Sequence, residues 1–470
     1  MKYTIFLLVF GAGFIDSTSA VGQTHPNILF VITDQWRAQA FGFAGDPNAR
    51  TPNLDAFERE CVDFTQAVSG LPVCSPTRAS LLTGQRPQTH GVFLNDVPLA
   101  PNAVTIAKVL KVAGYDTGCI GKWHVDGHGS RSAFIPRERR QGFDYWKVLE
   151  CTHEYNHSAY FGDTPEKLVW EGYDAIAQTR DAQRFLRERA KSDRPFLLWL
   201  AWGPPHNPYE TAPAKYRAMY SPEQIHLRPN VPESARAQAR KDLAGYYAHC
   251  AALDDCFGEL LRTLEETGLA TNSIVVFTSD HGDMLWSQDQ QRKQRPWEES
   301  ARVPLLFRLP AAFGVKPQRL DATINTEDVM PTLLRLAGVS TPTSVEGFDF
   351  SGAMRGDADP SGGATVLRCI SPFGEFIRKR GGREFRAIRT TRYAYARDLS
   401  GPWLLYDNQA DPDQIRNLVG KPEYAELQAR MEKRLREKLA SQHDEFLPGP
   451  EYVKRWGYTV DADETVRVQP

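Results

Sequence analysis

The sequence predicts an α/β fold: a large, mostly parallel sheet flanked by helices, followed by a smaller C-terminal α+β unit. Three observations predict it. Four short apolar runs read as buried parallel strands, and each runs into a burst of polar residues. Helical patterns lie between those runs. After a turn-rich stretch at 355–364, the pattern changes to short alternating strands and a closing helix.

In chain order, "MKYTIFLLVFGAGFIDSTSA" has Lys2, an apolar run from Ile5 to Phe10 and small residues up to Ala20. It reads as a signal peptide over 1–20, with Thr18 and Ala20 at the cleavage site, in preference to a short membrane anchor. No later stretch is apolar enough to span a bilayer, so the expectation is a periplasmic or secreted protein with no membrane span after cleavage. The larger domain is expected over 24–355. Its strands are "NILFVIT" running into Asp34-Gln35, and "YDTGCI" running into Gly121-Lys122-Trp123-His124. "FLLWLAW" runs into Gly203-Pro204-Pro205-His206-Asn207, and "SIVVFTS" into Asp280-His281-Gly282-Asp283. A helix begins near Thr105, and a strong helical pattern covers Asp242 to Glu266. The small unit is expected over 365–445. It has strands in "TVLRCIS", "EFRAIRT", "RYAYAR" and "WLLYD", then a helix with Tyr424, Leu427, Met431, Leu435 and Leu439 on one stripe. An extension over 446–470 is Pro-rich and charged at its start and reads as a surface wrap.

Composition narrows the function. The 470 residues are 41% apolar and 24% charged with a net charge of −2, which leaves no basic footprint for nucleic acid. Of seven cysteines, Cys74 stands apart. Cys250 and Cys256 lie six positions apart in a helical pattern and so on different faces, and a chain this long needs no staples. The others are expected to be buried small hydrophobes, and no disulfide pairing is assigned.

Cys74 opens "CSPTRASLLTG", where Ser75 reads as an N-cap, Pro76 as the first helical residue and Arg78 as part of the first turn. Backbone N–H groups and an arginine gather negative charge there. A thiolate nucleophile, a structural cysteine or a chemically different group would each suit the position.

In a parallel sheet the ligand crevice lies outside the carboxyl ends of the strands. All four such ends here carry Asp, Gln, Lys or His. Asp34, Gln35, Asp280 and His281 offer two carboxylates, an amide oxygen and an imidazole, a mostly oxygen donor set for a hard divalent cation. Arg78, Lys122, His124, His206 and Lys293 read as a cage for an anion with several oxygens. A two-zinc phosphatase would place further Asp and His ligands where these lysines stand. A cysteine phosphatase needs a longer loop than the "SPT" between Cys74 and Arg78.

"CSPTR" followed by "ASLLTGQRPQTHGV" resembles the signature of the type I, formylglycine-dependent sulfatases of the alkaline phosphatase superfamily. The resemblance extends over "PNILFVITDQ", "GKWH", "PHNPY", "SDHGD", "EESARVPLLFR" and the C-terminal "RYAYARDLSGPWLLYDNQADPDQIRNL". It implies an alkaline phosphatase-like fold and a sulfuric ester hydrolase. It also implies that a separate maturation enzyme oxidises Cys74 to formylglycine, whose hydrate attacks sulfur through oxygen. By the same resemblance Asp34, Gln35, Asp280 and His281 hold one divalent cation, most often Ca2+, with Mg2+ or Mn2+ as alternatives, and residue 74 completes the shell. Arg78 steadies the hydrate, Lys122 and Lys293 bind sulfate oxygens, His124 is the base for the elimination, and His206 protonates the leaving oxygen. Many members of the family have Asp where Gln35 stands, and Asn or Gln where His281 stands. An Asp at 35 would on this reading bind the cation more tightly. Lys293 is placed by its distance from "EESARVPL", with Arg292 and Arg295 as neighbours able to make the same contact.

The rival readings are a phosphonate or phosphate ester hydrolase of the same superfamily and a choline or aryl sulfatase. An inactive binding module would have lost Cys74 or Arg78, and both are present. The segment "ECTHEYNHSAYFGD" concentrates His, Tyr and Asn, side chains suited to sugar faces and hydroxyls. It points to a sulfated carbohydrate, with His153, Tyr155 and His157 as candidate pocket residues.

Overall fold

A computed structural model describes residues 25–467; the expected signal peptide over 1–20 lies outside the described residues. Ten strands form the large sheet: β1 (Asn27–Asp34), β2 (Val62–Phe64), β3 (Asp116–Lys122), β4 (Tyr145–Leu149), β5 (Ala159–Phe161), β6 (Lys167–Val169), β7 (Phe196–Pro205), β8 (Ser273–Ser279), β9 (Leu305–Arg308) and β10 (Gln318–Leu320). Their order is β10-β2-β9-β8-β1-β7-β3-β4-β5-β6. The five central strands, β8-β1-β7-β3-β4, are all parallel. Antiparallel pairs appear only outside them, at β8–β9, β9–β2, β4–β5 and β5–β6.

Both faces of the centre are covered, which is why its strands read as unbroken apolar runs. Alternate residues go to opposite faces: Ile28, Phe30 and Ile32 enter one core, and Leu29 and Val31 the other. β8 divides likewise, Ile274 and Val276 against Val275 and Phe277. The first core also takes Ile106 and Leu110 of helix Ile106–Val112, capped by the Thr105 side chain, and Leu333 and Leu334 of helix Val329–Leu336. The second packs against helices Asp174–Arg189 and Arg236–Glu266. That last helix begins before the Asp242 expected from its pattern. Residues 236–241, Arg-Ala-Gln-Ala-Arg-Lys, are good helix formers with no apolar stripe to reveal them.

The second sheet is antiparallel: β11 (Ala364–Cys369), β12 (Phe385–Thr390), β13 (Tyr393–Asp398) and β14 (Gly401–Asp407), in that order. One face takes helix Ala425–Ser441, whose Leu427, Met431, Leu435 and Leu439 meet Val366, Ile388, Tyr395 and Leu405. The other face meets Val68 and Ala301 of the larger unit. Arg389 joins the two through both oxygens of Glu298, at 2.8 Å each. The chain then returns to the large unit, where the Tyr458 hydroxyl donates to the Gly91 carbonyl at 2.9 Å. All seven cysteines are buried and unpaired. Among the described residues, no helix is long and apolar enough to cross a membrane.

Candidate active site

Because β8, β1, β7 and β3 are adjacent and parallel, their carboxyl ends open on one edge of the sheet. Asp34 and Lys122 are the last residues of β1 and β3, while His206 and Asp280 directly follow β7 and β8. The turns that aim these side chains are tight. Gln35 and His124 hold left-handed backbone, φ 74° and 60°, which costs a non-glycine residue and concentrates at functional sites. Gly121, at φ 101°, lies so close to β7 that a Cβ would sit 2.1 Å from the Ala201 carbonyl oxygen.

Facing this edge is helix Cys74–Thr83. It starts at Cys74, with Val73 as the N-cap, so Ser75 is inside the helix and not its cap. The physical reason is that the Asn95 side chain, brought from another segment, accepts from the Ser75 backbone N–H at 3.1 Å and supplies the cap locally missing. Cys74 is therefore the first helical residue.

Four groups converge here. One ligand atom from each of Asp34, Cys74, Asp280 and His281 lies within 4.8 Å of all the others, and all four residues are buried. The His281 Nε2 is 3.3 Å from Cys74 Sγ, 3.6 Å from Asp34 Oδ1 and 3.5 Å from Asp280 Oδ1. Its Nδ1 is 2.9 Å from the Gly282 carbonyl, which turns Nε2 toward the carboxylates; burial lowers the His281 pKa, but Asp280 and Cys74 raise it above the usual value. Arg78 ties the carboxylates from one side: Nε donates to Asp280 Oδ2 at 3.0 Å and Nη2 to Asp34 Oδ2 at 3.2 Å. Lys122 donates to Asp34 Oδ2 at 2.6 Å, and its Nζ is 3.9 Å from Cys74 Sγ.

The electrostatics follow from this crowding. Burial raises the Asp34 carboxyl, but Lys122, His206, His281 and Lys293 outweigh it and hold the group well below the usual carboxylate range. Asp280, pushed up by burial and by the Asp34 charge beside it, titrates at about 6. Burial and Asp34 raise the Cys74 thiol, yet Lys122, Lys293 and His281 draw it well below an ordinary thiol. This set of lone pairs, two carboxylates and an imidazole nitrogen, fits a divalent cation.

Above the cluster lie the cations. Lys293 Nζ donates to Gln35 Oε1 at 3.0 Å and to His206 Nε2 at 2.8 Å. The His206 Nδ1–H goes to the Asn207 carbonyl at 2.8 Å; burial and Lys293 keep this imidazole neutral, its pKa well below the usual value. His124 Nε2 lies 3.3 Å from Asp96 Oδ1, and its buried Nδ1 has no hydrogen-bond partner among the described residues. Burial lowers the His124 pKa, but Cys151 and the Asp96 hydrogen bond lift it well above the usual value. Arg131 holds Asp96 in a fork, at 2.8 and 2.6 Å.

These groups line a cavity of about 270 Å³ shared by both units. Cys74, Lys122, His124, His153, His206 and Lys293 come from the large unit, and Phe373, Glu375 and Thr465 from the C-terminal part. Lys293 reaches the centre, whereas Arg292 pairs with Tyr209 and Arg295 Nη2 bonds the Glu375 carbonyl. Of the three candidates in "ECTHEYNH", only His153 lines the cavity, its ring stacked on His206 at 4.5 Å. Tyr155 is core: buried, with its hydroxyl donating to the Asn207 carbonyl at 3.1 Å. His157 is exposed and bonded to Gly172. Both are corrections to the sequence reading, since a tyrosine beside β7 gains more from burial than from a polar pocket. Asp96, Arg131, Glu375 and Thr465 were not found by sequence; three lie in loops and Glu375 in a single 3-10 turn (Gly374–Phe376), with no pattern to single them out.

Comparison with known proteins adds the following. The family model "Sulfatase" matches residues 26–339, and the model "N-sulphoglucosamine sulphohydrolase, C-terminal" matches 291–441. The chain is 46% identical over 441 residues to an ulvan-active sulfatase of Formosa agariphila, covering 93% of this chain and 85% of that protein. It is 29% identical over 453 residues to an endo-4-O-sulfatase of Bacteroides thetaiotaomicron, covering 84% and 88%. A solved structure from the metabolism of multiple glycosaminoglycans by Bacteroides thetaiotaomicron superposes with a TM-score of 0.81 at 27% identity, covering 92% of this chain and 99% of that one.

Proposed function

The chain belongs to the sulfatase family and hydrolyses sulfate esters, and we propose that it does so on a sulfated carbohydrate, outside the cytoplasm, through a formylglycine made from Cys74. The observation that carries this reading is the convergence of Asp34, Asp280 and His281 on Cys74, which lines a cavity together with Lys122 and Lys293. Asp34, Gln35, Asp280 and His281 would hold one divalent cation, Ca2+ by their hard donor set, together with residue 74. When bound, the cation supplies Lewis acidity that lowers the pKa of a hydroxyl placed at residue 74.

In the unconverted chain, the Cys74 Sγ stands where the oxygens of the formylglycine hydrate would be. A maturation enzyme supplies the oxidant for that conversion. Arg78, bonded to both Asp34 and Asp280, holds the carboxylates in register with the helix start. Lys122 and Lys293 bind sulfate oxygens and offset the charge that grows on them. One hydroxyl oxygen of the hydrate, its proton released to solvent, bonds to sulfur as the S–O bond to the alcohol breaks. The departing oxygen takes a proton on the side of His206, whose Nε2 lies 2.8 Å from Lys293 Nζ. His124, which lines the cavity beside residue 74, then takes the proton of the second hydroxyl. The aldehyde reforms, sulfate leaves, and water restores the hydrate.

A sulfated saccharide suits the cavity, whose lining is mainly His, Lys, Asn and carboxylate side chains. The ulvan-active relative and the structural neighbour from glycosaminoglycan metabolism support that class. The test is a panel of defined sulfated saccharides beside sulfate and phosphate monoesters of one alcohol. Desulfation of a saccharide is expected, with the sulfate ester preferred. Faster cleavage of the phosphate ester would assign the chain to the phosphate or phosphonate chemistry of its superfamily.

A further inference from the structure

The Gln35 side chain is wedged between an acceptor and a donor. Its Nε2 lies 2.7 Å from Asp283 Oδ2, and its Oε1 lies 3.0 Å from Lys293 Nζ. A carboxylate cannot donate and an ammonium cannot accept, so a single orientation of the amide satisfies both contacts.

Asp283 is fully buried, and every hydrogen bond on its oxygens is one it accepts. Oδ1 takes the backbone N–H of Leu285 at 3.1 Å and of Arg292 at 2.9 Å. Oδ2 takes Gln35 Nε2 and the Tyr209 hydroxyl. It is not among the four groups that converge on the cation site. Its carboxylate is spent on orienting others.

We propose that Asp283 is a positioning residue: it fixes the Gln35 amide so that Oε1 and not Nε2 faces the cation site, and residues 35 and 283 form a pair that works with one carboxylate and one amide in either order. The inference rests on the reading of Gln35 as a ligand. Removing the charge at 283 leaves an amide whose NH2 must face donors. If that NH2 turns to Gln35, the Gln35 amide reverses and points its own NH2 at Lys293 and the cation. Placing a carboxylate at 35 alone sets it against Asp283, and like charges that close oppose one another. Gln35→Asp alone therefore weakens the cation instead of tightening it, because Asp283 stays charged beside it. In Asp283→Asn/Gln35→Asp, one oxygen of residue 35 accepts from the amide at 283 and the other faces Lys293 and the cation.

The experiment is calorimetric titration of Ca2+ into the chelated full-length protein, with thermal unfolding of each metal-free variant alongside. Asp283→Asn and Gln35→Asp should each weaken Ca2+ roughly 10–100-fold, the range for a lost second layer around a metal, while the double variant returns to within about threefold of wild type. Asp283→Asn binding like wild type, or a folded double variant no tighter than Asp283→Asn, overturns the proposal. If Asp283→Asn does not fold, the double variant decides alone: folding with wild-type affinity supports the pair, and failure on either count overturns it. Wild-type protein that takes up no Ca2+ overturns the cation reading itself, and that result is seen before any variant is made.

Discussion

At the strand ends Arg78 reaches Asp34 and Asp280; where the two sheets meet, Arg389 reaches Glu298. Both arginines are buried, and both bind carboxylates near 3 Å. At the sheet junction the two Glu298 oxygens each take one arm of the guanidinium, and the glutamate is held below its usual pKa by Arg389 against burial. That pair is saturated. At the strand ends each carboxylate gives Arg78 one oxygen and turns the other toward Cys74 or His281. The difference separates a fastening from a site: the same ion-pair chemistry is closed in one place and left with lone pairs to spare in the other.

Substitutions on the two sides should fail in opposite ways. The largest effect is expected from Cys74→Ala, which should cost on the order of 10⁶ in kcat by analogy with loss of a covalent nucleophile, with an unchanged melting temperature. Steady-state kinetics and thermal unfolding on one preparation check this, and residual turnover near wild type would move the nucleophile elsewhere. Next comes the leaving-group side. His206→Ala should lower kcat/KM by about 10²–10⁴-fold on a sugar sulfate and far less on nitrophenyl sulfate, whose phenolate leaves without a proton. Equal losses on both would make His206 a sulfate-binding residue, because sulfate is common to the two substrates.

Arg389→Ala tests the closed pair. Leaving Glu298 buried and unpaired should cost about 3–5 kcal/mol of stability, read by denaturant unfolding, with turnover per folded molecule retained. A large loss of kcat in the folded fraction would erase the contrast between the two regions.

The smallest effect concerns pH. Asp280 is raised to about 6, above an unfolded carboxylate, so protonation favours the fold. Its contribution to stability is complete below the unfolded pKa and is lost as pH rises through about 6. Asp34 is shifted the other way, and its linkage lies at more acid pH, outside that window. Asp280 should therefore make chelated protein less stable at pH 7.5 than at pH 5 by about 1.4 kcal/mol, and Asp280→Asn should lessen the slope by that amount. Added Ca2+ should restore the stability lost at the higher pH. A slope unchanged by Asp280→Asn would place its origin in other buried acids, such as Asp174, which burial raises to about 7.

Much of the fold was legible because burial leaves a mark. β8 reads as seven apolar or small residues, and its covered faces are the reason. The stripe from Tyr424 to Leu439 was legible for the same cause, one face meeting a sheet. The strand-end residues stood out because Asp, Lys and His immediately follow such runs. What escaped was set by distance in the chain. Asn95 supplies the cap that Ser75 was expected to provide, and Thr465 reaches the cavity from the far end of the sequence. Asp283 was in view within "SDHGD", but its role depends on Gln35 Nε2, a contact across 248 positions that no local pattern carries.

The central claim is that turnover belongs to an oxygen nucleophile made from Cys74. Peptide mass spectrometry of residue 74, set against turnover in preparations matured to different extents, tests it most directly. The account predicts turnover proportional to the fraction carrying the aldehyde, reaching zero where the thiol is intact. Sulfate ester hydrolysis at full rate by protein that still bears the Cys74 thiol would contradict it.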